Sequence, residues 1–293
     1  MSTFLKTLAV LVLIGVGFSH LGGWIAFADS LAVVRPLLLF AGYILAFALL
    51  FLRARLLAAF VLFGFVASTV DTVWALHGGQ GEAGTLSLYQ KNMLWNGTDR
   101  QSLLDDILRA DADFVTLQET SNDNMGILKG LEGVYPHRLA CTTPGNGGIA
   151  IYSKFPLIQP EAKCEFGDGV VLAQAQMPDG GAIWVASVHL NRPFPYTQAN
   201  QVPGIVRGLG DLDGPILIGG DFNMVPWGSA VRQIERAAKV DRLGGYLTTF
   251  PSFGWKLILP IDHILIPNTG EGFVEVRPLL GSDHLGLLAR FSI

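Results

Sequence analysis

Six apolar runs in this chain end on groups able to do chemistry: Asn92, Glu119, His189, Asp221 followed by Asn223, Asp262 followed by His263, and Asp283 followed by His284. Taken singly, each reads as an ordinary turn or capping residue, since Asp and Asn favour such places. Six of similar type at similar places are hard to assign to turns. Polar groups at the strand ends of a layered sheet converge on one edge, where sites form. These residue types suit metal-assisted hydrolysis of a phosphate ester. Glu119 with Asn92 offers hard oxygen donors of the kind that hold Mg²⁺ through one or two carboxylates and leave several waters in place. Such an ion neutralises phosphate oxygens and polarises phosphorus. His284 beside a buried carboxylate can serve as general base or as a charged clamp on the phosphoryl group. Asp221 can orient or deprotonate the attacking water, with Asn223 holding the phosphate.

The run Ile216-Leu217-Ile218-Gly219-Gly220-Asp221-Phe222-Asn223-Met224-Val225-Pro226 shows how a strand delivers such groups. Its first three residues read as a strand covered on both faces. The two glycines let another backbone approach closely, and Asp221 and Asn223 then share one face. Ahead of it, 85–93 reads as a strand and 101–110 as an amphipathic helix, with Leu103, Leu104, Ile107 and Leu108 on one side. A second buried strand over 114–119 completes a β-α-β-like unit. Further strands are predicted over 147–156, 170–177, 182–190, 215–221, 257–266, 273–276 and 285–291, and helices over 197–209 and 228–239. Many strands with few helices predict an α/β domain of two sheets with helices outside.

Lys91-Asn92, Leu117-Gln118-Glu119, Ser187-Val188-His189-Leu190, Gly220-Asp221-Phe222-Asn223, Ile261-Asp262-His263 and Ser282-Asp283-His284 resemble, in order, the motifs of the endonuclease/exonuclease/phosphatase superfamily. That group includes pancreatic-type deoxyribonuclease, abasic-site endonucleases, neutral sphingomyelinases and inositol-polyphosphate 5-phosphatases. The resemblance spans about residues 85–293. It implies a four-layer sandwich of two mixed β-sheets flanked by helices, with a Mg²⁺-dependent phosphodiesterase or phosphomonoesterase site that also accepts Mn²⁺. It implies Glu119 as principal metal ligand, Asn92 beside it and Asp283 assisting. His284 resembles the catalytic histidine, oriented by Asp262, and Asp221 with Asn223 the water-activating and phosphate-binding pair. His189 is similar to the second histidine of deoxyribonucleases and sphingomyelinases. Asn96 is a weaker stand-in for Asn92, and His263 sits where the family varies and is expected to be structural.

The front of the chain differs in kind. Half of the 293 residues are apolar and the mean hydropathy is +0.42, high for a soluble protein. Residues 1–77 carry only Lys6, Arg35, Arg53, Arg55, Asp29 and Asp71 as charges. Three apolar stretches, 7–28, 36–52 and 56–74, approach the ~20 residues that span a bilayer, and Pro36 suits the first turn of the second helix. The expected organisation is a membrane region over 1–76 with about three spans, a glycine-rich flexible linker over 77–84, and a catalytic domain over 85–293. Lys6 and the Arg53/Arg55 pair should stay cytoplasmic. That predicts a multi-pass inner-membrane protein whose catalytic domain faces the periplasm or the extracellular side. A signal peptide ending at Ala26-Phe27-Ala28 leaves two spans and the same exported domain. His20, inside the first stretch, is expected to pack between helices. For Cys141 and Cys164 a disulfide and two buried thiols both stay open.

Removing the six front charges from the chain's 20 Lys+Arg and 24 Asp+Glu leaves 16 and 22 in residues 78–293, a net charge of −6 with no basic run. A protein that grips nucleic acid through its phosphates usually carries a basic surface, so this composition disfavours one. The leading expectation is a membrane-anchored phosphoesterase working outside the cytoplasm, on a phospholipid headgroup or another phosphoester. The alternatives are an extracytoplasmic nuclease acting on DNA and, in a different class, a catalytically inactive membrane binding or assembly protein that keeps the fold. No protein partner is indicated.

Overall fold

The computed structural model describes residues 2–79, 81–121, 124–141, 147–163, 169–252 and 257–293. Two six-stranded sheets lie face to face. The first runs, in spatial order, β13 (Glu271–Arg277), β14 (Gly286–Ser292), β1 (Leu86–Asn92), β2 (Phe114–Thr120), β4 (Gly148–Ser153) and β3 (His137–Cys141). The second runs β5 (Leu157–Lys163), β6 (Val170–Gln176), β7 (Ala182–His189), β8 (Ile216–Asp221), β12 (Asp262–Pro267) and β9 (Val240–Arg242). A small hairpin of β10 (Phe250–Ser252) and β11 (Leu257–Leu259) stands apart. Each sheet is mixed, with one parallel pair: β1 with β2 and β7 with β8. Each pair is joined by a crossover helix, α4 (Arg100–Ala110) in the first sheet and α6 (Gln198–Gly210) in the second, as parallel neighbours require. With α5 (Met125–Leu131) outside the first sheet and α7 (Ser229–Ala238) outside the second, the domain is a four-layer α/β sandwich.

Strand alternation explains the layering. Leu88, Phe114, Ile151, Val185, Leu217 and Ile264 point between the sheets and form the central core. Tyr89, Val115 and Leu117 point outward under α4 and α5. Ala186, Ile218 and Leu265 point outward under α6 and α7. Gly219 lies where the sheets come closest, for a Cβ there would collide with Thr116 and crowd Leu88 of the facing sheet.

Three apolar helices precede the sandwich: α1 (Ser2–Phe18), α2 (Ala26–Phe51) and α3 (Arg55–Trp74). α2 and α3 are long and apolar enough to cross a membrane, which suggests anchoring or a signal sequence, while α1 is a shorter apolar helix. They pack on one another through Val16, Leu49, Val61 and Phe65 and leave Leu11, Phe40, Phe47, Phe60 and Phe63 exposed. The first expected stretch ends early, at Phe18, where Ser19, His20, Gly22 and Gly23 interrupt the helix. Pro36 does not open the second helix but lies inside α2. A proline there has no N–H for the carbonyl four residues back, and that carbonyl, on Ala32, accepts instead from Trp227 Nε1 at 2.6 Å.

That bond belongs to a dock between α2 and the sandwich. The Asp29 carboxylate accepts from the Ser229 N–H at 2.8 Å and its hydroxyl at 2.7 Å, at the first turn of α7, where a helix end favours negative charge. Asp71 of α3 accepts from both terminal nitrogens of Arg232 at 2.9 Å. The 77–84 stretch is not free chain: Gly79 exchanges backbone bonds with Arg242 and Gly244, and Gly81 donates to Gly272. A Cβ on Gly84 would collide with the Phe291 backbone, so these glycines serve close approach rather than slack. The expected strand over 257–266 is divided into β11 and β12, with Pro260 between them. β3, β5, β9, β10 and α5 are short elements that periodicity did not reveal. Cys141 is disulfide-bonded, and Cys164 lies outside the described residues.

Trp227→Phe removes the indole donor from the Ala32 carbonyl, which Pro36 cannot serve. Leaving a buried carbonyl unpaired costs about 1–3 kcal/mol. Thermal unfolding of the detergent-solubilised chain should shift down accordingly, and an unchanged Tm would refute the dock as described.

Candidate active site

At one edge of the sandwich the inner faces of both sheets turn from apolar to polar. Following Leu88 along β1, the inward residues are Gln90 and Asn92; following Phe114 along β2, Thr116 and Gln118; following Val185 along β7, Ser187 and His189. β8 contributes Asp221, and β12 begins on Asp262, paired in register with Asp221. The Asn92 amide bridges the sheets, its Nδ2 donating to Glu119 Oε1 at 3.1 Å and to Asp221 Oδ2 at 3.0 Å. Its Oδ1 accepts from the Leu94 N–H at 3.0 Å, which sets the amide's orientation. His189 Nε2 stands 3.9 Å from Glu119 and 3.6 Å from Asp221. His284 Nε2 stands 3.7 Å from the same Asp221 oxygen, while its Nδ1 donates to Asp262 Oδ2 at 2.8 Å.

Electrostatics follow from burial. Desolvation pushes the His284 pKa down, but Asp262 and Asp221 outweigh it and raise it to about 9, so the ring carries charge at neutral pH. Asp262 is pushed up by burial and pulled further down by His284, ending below the usual carboxylate value. Asp221 is raised by burial despite the nearby histidines, which makes it the more basic carboxylate. His263 points away: its Nε2 donates to the Met224 carbonyl at 2.8 Å, its ring packs on Phe222, and burial lowers its pKa to about 3. It is a structural histidine.

Glu119 owes its position to backbone geometry. It sits at φ +58° beside an irregularity in the β2–β4 pairing, a bulge that re-aims a side chain next to a site. Asn124 Nδ2 holds its carbonyl at 2.9 Å, and the Trp95 N–H donates to Oε2 at 3.0 Å. Gly147, itself at φ +70°, lies against it, where a Cβ would come 2.7 Å from the Glu119 Cα. Asn223, also at positive φ, donates its N–H to Asp221 Oδ1 at 2.8 Å and its amide to Leu190 O at 2.8 Å and Asp221 Oδ2 at 3.3 Å. It orients the carboxylate. Asp283 is exposed beside His284 and takes part in none of these hydrogen bonds among the described residues, though its charge adds to the field on His284.

Gln118, Ser187 and Lys91 stood in the sequence motifs without a role of their own, while Gln90, Thr249 and Phe250 were not singled out at all. Gln90 Nε2 donates to Asp262 Oδ1 at 3.0 Å and to Gln118 Oε1 at 2.9 Å, and Gln118 donates on to Ser187 Oγ at 3.0 Å. This chain fixes the carboxylate that fixes His284. Strand alternation carried the signal, since Gln90 lies two residues before Asn92. Thr249 Oγ1 accepts from the Asp262 N–H at 3.1 Å, and Phe250 packs on the His284 ring; nothing local marked either. Lys91, buried and lowered by that burial to about 7, gives its Nζ hydrogens to the carbonyls of Pro278, Leu279 and His284. It ties down the loop that carries Ser282, Asp283 and His284.

The residues of this arrangement lie within a stretch, 90–284, whose sequence matches a known family. The chain belongs to the endonuclease/exonuclease/phosphatase family. Members of this family are phosphoesterase and nuclease hydrolases that generally use divalent metals, and this family member is a hydrolase of that class. No protein of curated function matches its sequence. Among solved structures, a humanized D. rerio TDP2 superposes with a TM-score of 0.59 at 19% identity, over 71% of this chain and 99% of its own. The human nocturnin catalytic domain with bound sulfate gives 0.54 at 18%, over 71% and 94%. Sphingomyelinase C from Streptomyces griseocarneus gives 0.50 at 14%, over 70% and 98%. At these identities the likeness concerns the fold.

Two outcomes are expected. In Asp262→Asn the His284 ring loses its closest anion, so its titration, followed by NMR of the imidazole, falls well below 9; a ring still protonated at that pH would show that Asp262 is not what charges it. Gly147→Ala forces a side chain into left-handed backbone at about 1–2 kcal/mol and displaces Glu119. Its melting temperature and turnover should fall together, and wild-type turnover would refute the contact.

Proposed function

We propose that the chain is a divalent-metal-dependent phosphoesterase held at a membrane, attacking the phosphate of a lipid headgroup outside the cytoplasm. The observation that carries the chemistry is the bridge of Asn92 between Glu119 and Asp221, with His189 and the His284–Asp262 pair closing round it. The donor set fits a hard cation. Each Glu119 oxygen accepts one hydrogen bond and keeps acceptor capacity, and the side chain is 19% exposed. Asp221, Asp262 and His284 also present ligand atoms within 4.8 Å of one another, but the Asp262–His284 hydrogen bond already engages two of those groups. Glu119 would therefore be the principal ligand, with Asn92 beside it and Asp283 assisting, for Mg²⁺ or Mn²⁺. A metal held there would supply neutralisation of the phosphate oxygens.

The chain's own groups do the rest. Asp221, made basic by burial, takes the proton of an attacking water; Asn223 holds it in that orientation. His284 and His189 present N–H groups to the phosphoryl oxygens, the charge on His284 being maintained by Asp262 and, behind it, Gln90.

Two features support a substrate at the membrane surface. The segment that follows His189 carries exposed Phe194 and Tyr196, and it is tied to α2 by Ser30 Oγ donating to the Phe194 carbonyl at 2.8 Å and by an edge contact between Phe27 and Phe194. Exposed Trp24 and Trp74 lie at the helix ends near the sandwich, with Lys6, Arg53 and Arg55 toward the other end, the pattern of an aromatic interface opposite a cytoplasmic one. The sphingomyelinase C neighbour is named for a lipid substrate. The second reading, an exported nuclease, draws on D. rerio TDP2, crystallised with a single-strand DNA product, but the acidic domain opposes it.

The test is the full chain in nanodiscs with Mg²⁺ or with chelator, scored for headgroup release from phospholipid and for plasmid nicking. Headgroup release should depend on metal. His284→Ala should lower turnover roughly 100-fold to 10,000-fold, and Glu119→Gln should raise the Mg²⁺ requirement. Nicking without lipid release would favour the nuclease, and full activity of both variants would refute the mechanism.

A further inference from the structure

The junction between the helices and the sandwich holds a cavity of about 180 Å³ whose lining includes none of the residues of the catalytic edge. Arg35, Arg232, Arg236 and His20 line it, with exposed Trp24 at its mouth. One carboxylate, Asp71, serves both Arg35 at 3.2 Å and Arg232 at 2.9 Å, and His20 Nδ1 lies 3.4 Å from it. Asp29, a second acid nearby, accepts from Ser229, and Glu235 of α7 also feels the charge of Arg232. Arg236 has no ion-pair partner among the described residues. Three guanidinium groups thus face two carboxylates, Asp71 and Asp29, an excess of one positive charge. Arg35 is almost wholly buried and is held by Ser19 Oγ and the Ser19 carbonyl, both at 2.8 Å, so the site is built rather than incidental.

A second hollow of about 330 Å³ shares His20 with the first and runs between α1 and α3. Leu13, Val16, Gly17, Gly64 and Ala67 line it. Small residues keep it open: the missing side chain of Gly17 would meet nothing within 4 Å. A cationic pocket that shares the His20 wall with an apolar groove has the two-part chemistry of one molecule, a phosphate headgroup in one and an acyl chain in the other.

We propose that this junction binds an anionic phospholipid, its phosphate among Arg35, Arg232 and Arg236 and an acyl chain in the groove between α1 and α3. The site is separate from the catalytic edge, and it rests on the reading that α1–α3 lie in a bilayer. Basic pockets beside membrane helices take anionic headgroups in this way. A bound lipid there would also contact α1, α2, α3 and α7 at once and brace the dock.

The full chain in detergent is titrated with dioleoylphosphatidylglycerol and, separately, dioleoylphosphatidylcholine, and bound lipid is read by native mass spectrometry. One phosphatidylglycerol should bind roughly tenfold or more tighter than phosphatidylcholine, given about 1 kcal/mol per nearby cation. Arg236→Gln should cut that preference roughly fivefold, and Gly17→Phe should weaken both lipids by blocking the groove. Hydrolysis of a soluble phosphoester by both variants at the wild-type rate reports that they are folded. Equal binding of the two lipids, or an unchanged preference in Arg236→Gln, overturns the proposal. So does displacement of phosphatidylglycerol by equimolar glycerol phosphate, which would mark a site for free phosphate. Flotation with phosphatidylcholine vesicles separates the two levels: a chain that floats but does not discriminate loses only the lipid site, whereas one that stays in the aqueous phase loses the membrane reading with it.

Discussion

Like charges must be held together at the edge of this sandwich, and one amide does it. Glu119 comes from one sheet and Asp221 from the other, and both bury oxygens beside the Nδ2 of Asn92. Without that donor between them and the charged His284 beside Asp221, the two carboxylates would repel. The amide lets both stay close while adding no charge of its own. Much else serves that placement. The central core brings the sheets to a fixed separation, and Gly219 lets them approach where a side chain would collide with Thr116. The bulge at Glu119 turns an outward position toward the edge.

A second tier of groups acts by restricting the first. His284 is aligned by Asp262, Asp262 by Gln90 and Thr249, and Gln90 is linked through Gln118 to Ser187. Lys91 adds a clamp made only of carbonyls. Buried polar chains of this kind are stable only when each member is satisfied, which is why the apolar interior stops several residues short of the edge.

The layered α/β fold was legible because β1, β2, β7 and β8 are buried apolar runs bounded by clear breaks, and their ends carry the polar groups that the structure brings together. Gln90 was equally available from its two-residue offset to Asn92, yet glutamine on a strand has no distinctive spacing of its own. Thr249 and Phe250 reach the site through a tertiary contact from a segment of little periodicity, and no local pattern reports such contacts. Short edge strands such as β3 and β9 are fixed by their neighbours rather than by their own sequence. The glycine-rich stretch after α3 shows the converse error of local reading: glycines that suggest slack can instead mark the places where backbones touch. Pro36 misled for a related reason, since a proline can sit within a helix when another group takes over the orphaned carbonyl.

That substitution of donors at Ala32 has a geometric consequence. Successive residues of a helix point about 100° apart, so Asp29, Ala32 and Pro36 share a side of α2 at offsets of three and four. Trp227 can meet the bare carbonyl only in one rotational setting, and the same setting presents Asp29 to α7. The proline thus works as a key cut into the helix, legible to one indole. A sandwich joined to these helices by a loose tether alone would sample every tilt against them. This one has a single azimuth, and that azimuth is written into α2 itself.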